Sequence, residues 1–308
     1  MTPYDTDSNT PEITAPSMQE GPRPPRPLLG TLLYLLLAFG LTALFAVSAT
    51  LLLGLSGNAP QDDPENFVVS LIVFTLSLAG AVVATAPFVR RGNLTWTDAG
   101  FGRRHVLFDT GIGVLLGVAS FSLVPLVARL FQWTTFEAGD LSVFPAYAAS
   151  VGIVLLPAAA FEEVFSRGLP LHYLRQLRIG GLTPGRATVL AVLLTSLLFS
   201  FLHAWNPGFN AIAFLEVVAA GVALAVARIR SGALWLPIGW HFGWNASQDI
   251  LYGFSVSGVT AGSGALLRAS TSGPPMLVGG AFGPESGLLT VFATVLFTIL
   301  FAAFYPKR

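Results

Sequence analysis

Long apolar runs separated by short polar connections dominate the chain. A helix needs roughly 20 apolar residues to cross a hydrocarbon core about 30 Å thick. Backbone polar groups cannot be left open in lipid, so helices are the expected spanning form. The pattern predicts an all-α polytopic membrane protein with a bundle of about eight transmembrane helices. Their ranges are 29–54, 67–89, 110–130, 145–167, 188–204, 211–229, 234–253 and 287–305.

Two segments do not follow this pattern. Residues 1–27 contain many prolines and several acids but no apolar run, so they cannot bury enough surface to offset chain entropy. We predict a disordered cytoplasmic tail at 1–27 and a membrane domain over 28–308. The connection 254–286 is rich in Gly and Ser. A connection of this length is either a functional lid or a disordered loop, and we expect it over the outer face.

Basic residues concentrate in alternate connections between the predicted helices, whereas the connections between them are acidic or uncharged. Cytoplasmic loops carry an excess of Lys and Arg. We therefore predict an integral, multi-pass protein with both termini cytoplasmic. The residues on which this orientation rests are Arg23, Arg26, Arg90, Arg91, Arg103, Arg104, Arg167, Arg175, Arg178, Arg186, Arg228, Arg230, Lys307 and Arg308.

Composition supports the membrane assignment and excludes several kinds of chemistry. Charged residues make up only 10% of the chain, against about 25% in a soluble domain. Most of the surface therefore faces lipid rather than water. The net charge is zero, which gives no indication of a nucleic-acid partner. Cysteine is absent, so disulfides, zinc–thiolate sites and cysteine nucleophiles are excluded.

The fourth predicted helix contains two adjacent carboxylates, Glu162 and Glu163. Ionisable groups inside a membrane are costly and usually mark function. Glu163 and Arg167 are four residues apart and can pair on one face. Glu162 is turned away by about 100° and is free to act as a general base. The alternative is a helix end that extends its charges to the cytoplasmic interface.

Further polar residues lie in the fifth, sixth and seventh predicted helices. His203 ends the fifth, and His241, Asn245 and Asp249 recur every four residues in the seventh. Such a stripe must face the bundle interior or a water-filled cavity, although interhelical hydrogen bonding alone could explain it. Together with Glu162, these groups can hold a water, remove its proton and stabilise an oxyanion. Glu216 in the sixth helix has no evident partner, and we expect a carboxylate that snorkels to the interface or is locally hydrated.

Three short motifs resemble those of the CPBP family, which includes type II CAAX prenyl endopeptidases and the Abi group of bacteriocin-processing and immunity proteins. The family pattern is Glu-Glu-x-x-x-Arg, then Phe-x-x-x-His, then His-x-x-x-Asn or Asp. The chain has these motifs in that order at 162–167, 199–203 and 241–245. The resemblance covers a core at about 145–250.

The resemblance implies an intramembrane endopeptidase that cuts a membrane-associated protein or peptide. It implies that Glu162 is the catalytic base and holds the water together with His203. The other motif residues would support the site or bind water and the oxyanion: Glu163, Arg167, His241 and Asn245. The substrate does not carry over, because a CAAX substrate requires prenylated proteins.

A zinc site is the alternative to direct activation of water by Glu162. Glu162, His203 and His241 are a carboxylate and two imidazoles, a ligand set known for catalytic zinc. Glu163 would then serve as the base. We favour no cofactor for two reasons. Zinc-bound His needs a second acceptor, and Asp249 is two turns from His241. Glu163 is also committed to Arg167.

The competing class of function is a transporter or a non-catalytic membrane scaffold, in which the polar stripe forms a proton or substrate path. Against it, the two halves of the chain show no paired hydropathy. The sequence also has no His-Glu-x-x-His zinc motif.

The depths of the predicted groups conflict. If Arg167 and Thr188 mark the inner membrane face, Glu162 lies about 8 Å and His203 about 23 Å from that face. At those depths the two side chains could not meet.

Overall fold

The computed structural model describes residues 27–53, 64–91, 94–259 and 262–307. The predicted tail at 1–27 lies outside this part of the chain except for its last residue, so the tail remains a prediction. The division into a tail and a membrane domain likewise remains a prediction.

Each of the eight predicted spans coincides with an observed helical segment. The long helices are α1 (Pro27–Leu53), α2 (Pro64–Arg91), α3 (Val106–Leu130), α4 (Phe144–Arg167), α6 (Pro184–Leu202) and α7 (Ala211–Ser231). A short helix, α5 (Leu169–Leu174), follows α4 after a break at Gly168. The last two spans are α8 (Trp235–Ala246), which continues as a π-helical turn (Ser247–Leu251), and α10 (Leu288–Phe304).

Six helices in the described part of the chain are long and apolar enough to cross a membrane. They are α1, α2, α3, α6, α7 and a span formed by α4 with α5, Phe144–Leu174. α10 is apolar but shorter, and α8 reaches its predicted length only with its π-helical turn. The predicted fold class, an all-α polytopic membrane protein, is confirmed.

Capping residues at its two ends define where α7 begins and stops. The Asn210 side chain accepts hydrogen bonds from the backbone N–H groups of Ile212 and Ala213, which have no partner within the helix. At the other end Gly232 has a φ of 72°, and its N–H donates to the Arg228 carbonyl. This left-handed conformation suits glycine and ends the helix.

A glycine-lined contact joins α3 and α8. A Cβ at Gly117 would lie 2.2 Å from the Trp240 carbonyl oxygen, and one at Gly243 would lie 2.4 Å from that of Val114. Any larger residue would force the helices apart, as in other small-residue contacts between membrane helices. His241 is two residues from Gly243, about 200° around the helix. The opposite face of α8 therefore carries His241 towards α4 and α6. The glycines at this contact are Gly113, Gly117, Gly239 and Gly243.

The described part of the connection 254–286 forms a structured layer. Strand β2 (Leu267–Thr271) pairs antiparallel with β1 (Thr134–Ala138), with Phe136 opposite Ala269. A one-turn helix, α9 (Pro275–Val278), and a 3-10 turn (Pro284–Ser286) then lead into α10. Of the two alternatives for this connection, a disordered loop is therefore wrong for residues 262–286.

Cysteine accessibility tests the predicted orientation. The chain has no native Cys, so one introduced thiol reports one position. Ser263 is exposed in the outer connection, and Thr97 is exposed between α2 and α3. We expect Ser263→Cys to react with an impermeant maleimide on intact cells, and Thr97→Cys to react only after permeabilisation. Labelling of Thr97→Cys in intact cells would contradict cytoplasmic termini.

Candidate active site

A buried ion pair forms on α4. Nη1 of Arg167 donates to Oε1 of Glu163 at 2.8 Å, and both side chains are 0% exposed. The predicted pairing one helical turn apart is therefore present. The alternative, charges extended to the cytoplasmic interface, is wrong for this pair because neither side chain reaches the surface.

The same carboxylate oxygen binds a histidine of another helix. Nδ1 of His241 lies 3.1 Å from Oε1 of Glu163. An ionised carboxylate can only accept, so Nδ1 is the donor. Glu163 thus joins α4 to α8 and fixes the orientation of the His241 ring. The other ring nitrogen, Nε2, points away from Glu163.

Arg167 connects this pair to α6. Its guanidinium lies 4.0 Å from the centre of the Phe199 ring, a favourable cation–π distance. The Phe199 ring also contacts His203, with ring centres 4.8 Å apart, and His241, with ring centres 5.7 Å apart. Phe199 is therefore the spacer that places both imidazoles next to the ion pair.

The His203 ring is oriented by its own helix. His203 follows the last residue of α6, and its Nδ1 donates to the Phe199 carbonyl oxygen at 2.8 Å. A carbonyl only accepts, so Nδ1 carries the hydrogen. In the neutral ring Nε2 is then an unprotonated acceptor. His203 and His241 therefore present the same kind of nitrogen to the site.

Both Nε2 atoms converge on Glu162. Its Oε2 lies 3.7 Å from Nε2 of His203 and 3.8 Å from Nε2 of His241. These separations are too long for direct hydrogen bonds, but one water can contact all three atoms. Oε2 accepts no hydrogen bond from the described residues. Glu162 is 23% exposed while Glu163 is 0% exposed, so the adjacent carboxylates have different surroundings.

The structure brings together the two groups whose predicted depths conflicted, since Oε2 of Glu162 lies 3.7 Å from Nε2 of His203. The apolar span that contains Glu162 does not end at Arg167 but continues through α5 to Leu174. The assumption that Arg167 ends the fourth span, on which the depth of Glu162 rested, is therefore wrong.

A pocket extends from the two imidazoles into the bundle. It is lined by His203, His241 and Asn245, with Phe199 and Trp244 on its apolar wall. The Asn245 side chain makes no hydrogen bond to the described residues, so its amide is free to bind a ligand in the pocket. The structure thus brings together all six predicted residues, with Glu162, Glu163 and Arg167 behind the two imidazoles.

Sequence reasoning missed Glu285, which lines the same pocket. It lies in the 3-10 turn and is 6% exposed. Its Oε2 accepts from the Ser257 N–H at 2.6 Å and from Nε2 of Gln248 at 3.2 Å. Burial raises the pKa of Glu285. The one sequence feature that could have indicated Glu285 is its place as an acid just before the apolar helix α10. The rest of the connection has the composition of a loop.

Two acids lie elsewhere than expected. Glu216 is 2% exposed and accepts from Oγ1 of Thr294 at 2.7 Å, so it has a partner and does not snorkel to the interface. Asp249 does not line the pocket and instead accepts from the Tyr147 hydroxyl. It lies in the π-helical turn, where the wider helix breaks the four-residue repeat.

Residues 144–247 match the family model described as Type II CAAX prenyl endopeptidase Rce1-like. This segment runs from the start of α4 to the end of α8 and contains every motif residue. Searches of curated proteins and of solved structures each found no significant match. The resemblance of this segment to the CPBP family, and to its Rce1-like type in particular, is confirmed.

Removal of Arg167 tests whether the ion pair supports the fold. We expect Arg167→Ala to lower the free energy of unfolding by about 3–5 kcal/mol, because it leaves the Glu163 charge buried without its partner. Arg186→Ala is the control, since Arg186 is exposed, and its cost should stay within about 1 kcal/mol. Denaturation in detergent measures both. Equal losses in the two variants would contradict a buried structural pair.

Proposed function

We propose that the chain is an intramembrane endopeptidase that hydrolyses a peptide bond in a membrane-associated protein or peptide. The observation that carries the proposal is the convergence of His203 and His241 on the free oxygen of Glu162. The three groups come from separate helices, and they line or adjoin a pocket inside a membrane bundle. The Rce1-like match of the same segment supports the same class of enzyme.

In the proposed reaction a water lies against Glu162 and His203. Glu162 removes a proton from the water as its oxygen attacks the carbonyl carbon of the substrate. The proton then passes to the leaving nitrogen as the carbon–nitrogen bond breaks. The products are a carboxylate and an amine.

Negative charge that develops on the carbonyl oxygen needs a donor. The free side-chain amide of Asn245 supplies one from the wall of the pocket. His241 donates from Nε2 only in its protonated form, because its Nδ1–H is committed to Glu163. Asn245 is therefore the primary oxyanion donor in this proposal, with His241 beside it.

Glu163 and Arg167 position the site rather than react. Oε1 of Glu163 accepts hydrogen bonds from Arg167 and from His241. Both contacts are made to the same oxygen, and the Glu163 side chain is 0% exposed, against 23% for Glu162. The role of Glu163 is to hold the His241 ring so that Nε2 faces Glu162.

One water has too few hydrogens to donate to all three acceptors that face it. A water has two hydrogens, whereas Glu162 and the neutral rings of His203 and His241 present three lone pairs. A fully satisfied cluster therefore takes up one further proton or a cation. In the metal-free proposal the extra proton resides on one of these three side chains.

Zinc is the cation that this donor set suits. Both rings have the second acceptor that zinc-bound His requires, Glu163 for His241 and the Phe199 carbonyl for His203. The objection from Asp249 is therefore removed. Glu162, His203 and His241 would hold the ion, which would lower the pKa of a bound water.

Two observations still favour the metal-free form. Glu163 is unsuited to act as the additional base. The separations of 3.7 and 3.8 Å also exceed the roughly 3.3 Å expected between tetrahedral ligands about 2.0–2.1 Å from zinc. Within the described residues no three acidic or imidazole side chains have metal-site spacing.

Substitution of the base tests the proposal. We expect Glu162→Gln to reduce cleavage of a membrane-tethered peptide by about 10²–10⁴-fold, because an amide of the same shape cannot accept the water's proton. Glu137→Gln is the matched control, since Glu137 is exposed on β1, and it should cleave normally. Near-normal turnover by correctly inserted Glu162→Gln protein would refute the assignment.

Metal analysis decides between the two forms of the site. We expect active, purified protein to contain less than stoichiometric zinc and to keep its activity after dialysis against a strong chelator. Elemental analysis and the cleavage assay measure the two quantities on one sample. Stoichiometric zinc, with activity lost on removal and restored by zinc alone, would overturn the metal-free form.

A further inference from the structure

The pocket beside the proposed catalytic groups contains two further buried carboxylates, Glu216 on α7 and Glu285 in the 3-10 turn. We propose that they form a subsite for a basic substrate side chain, a lysine ammonium or an arginine guanidinium. The inference rests on the proposed function in that the bound side chain belongs to the peptide to be cut.

One oxygen of Glu216 has no hydrogen-bond partner in the described part of the chain. Oε1 accepts from the Thr294 hydroxyl, which fixes the carboxylate on the wall between α7 and α10. Oε2 is buried and accepts no hydrogen bond from any described residue. A buried carboxylate oxygen without a hydrogen-bond donor costs free energy of folding. Because this oxygen lies in a pocket wall, a bound ligand can supply the donor.

Glu285 approaches the pocket from the outer connection. Ser257 and Gln248 hold its Oε2, and only the Ser257 hydroxyl contacts Oε1, at 3.2 Å. Glu285 and Glu216 line the same pocket. Two acids on separate elements therefore converge on one space.

No permanently charged cation lines the pocket beside these acids. None of its lining residues in the described part of the chain is Lys or Arg, and the ion pair of Arg167 is with Glu163. Two buried carboxylates without a permanently charged partner are costly in the empty protein. A cationic group of the substrate supplies the missing charge and accounts for the arrangement.

The rest of the wall fits the stem of such a side chain. Val217 follows Glu216 directly on α7, and Ala220 and Leu224 lie one and two turns further along. All three line the pocket with apolar groups. Lysine and arginine bury their methylene stems against apolar surface while the charged head finds polar partners. Since His203 and His241 line the same pocket, the basic residue would lie close to the scissile bond.

Peptide pairs test the subsite without relying on cleavage. Each pair of membrane-tethered peptides differs at one position around the cut, where one peptide carries lysine and the other norleucine. Norleucine has a similar stem and no charge. Binding is measured with the Glu162→Gln protein, which retains the pocket. The kcat/KM of each peptide is measured with the wild-type protein. We expect the lysine peptide to bind about tenfold or more tightly at one position, equivalent to roughly 1.4 kcal/mol or more.

Glu216→Gln, combined with Glu162→Gln for binding, should abolish the lysine preference and leave norleucine binding unchanged. Glu285→Gln should weaken the preference, and it serves as a second variant if Glu216→Gln does not fold. Glu137→Gln should retain the preference. Equal binding of lysine and norleucine peptides at every position, or a preference that survives both substitutions, would overturn the subsite. Charge-dependent binding without any cleavage by the wild type would support the subsite and contradict the proposed protease.

Discussion

Oε1 of Glu163 is the atom on which the geometry of the site depends. It accepts from Arg167 on its own helix and from His241 on α8. Arg167 in turn lies on the Phe199 ring of α6, whose carbonyl fixes His203. One buried carboxylate thus sets the relative positions of three helices and the orientation of two imidazoles. Glu162, its neighbour in sequence, is 23% exposed while Glu163 is 0% exposed, and Oε2 of Glu162 faces both imidazoles. In the proposed reaction this difference in surroundings makes Glu163 the structural carboxylate and Glu162 the reactive one.

The contact between α3 and α8 is the second constraint. Glycines on both helices let the backbones approach so closely that a Cβ at Gly243 would lie 2.4 Å from a carbonyl oxygen. α8 is thereby held by one face while the opposite face presents His241 and Asn245 to the pocket. The polar face of α8 is thus positioned by a close backbone contact on its opposite face. One side-chain hydrogen bond, from Nε1 of Trp240 to Oγ of Ser120 at 3.1 Å, also joins the two helices.

The sequence predicted the features that follow from chain periodicity and from the bilayer. Helices coincide with all eight predicted ranges, and six of the described helices are long and apolar enough to cross a membrane. Helix length in lipid is set by bilayer thickness, and the pair of Glu163 with Arg167 follows from one helical turn. Features set by tertiary packing were missed. Glu285 reaches the pocket only because the outer connection folds back over the bundle. Glu216 has a partner only on α10, and Asp249 leaves the stripe because the helix widens at 247–251. No local pattern encodes these three outcomes.

In the proposed site His203 and His241 both carry hydrogen on Nδ1 and turn Nε2 to Glu162. Nitrogen-15 NMR of histidine-labelled protein in bilayers measures this directly, because the chain has only four histidines and single substitutions assign each signal. We predict a protonated Nδ1 in both rings, with hydrogen bonds to the Phe199 carbonyl and to Glu163. An unprotonated Nδ1 in either ring would mean that its Nε2 does not face Glu162 as an acceptor, and would contradict the arrangement from which the proposed activity is derived.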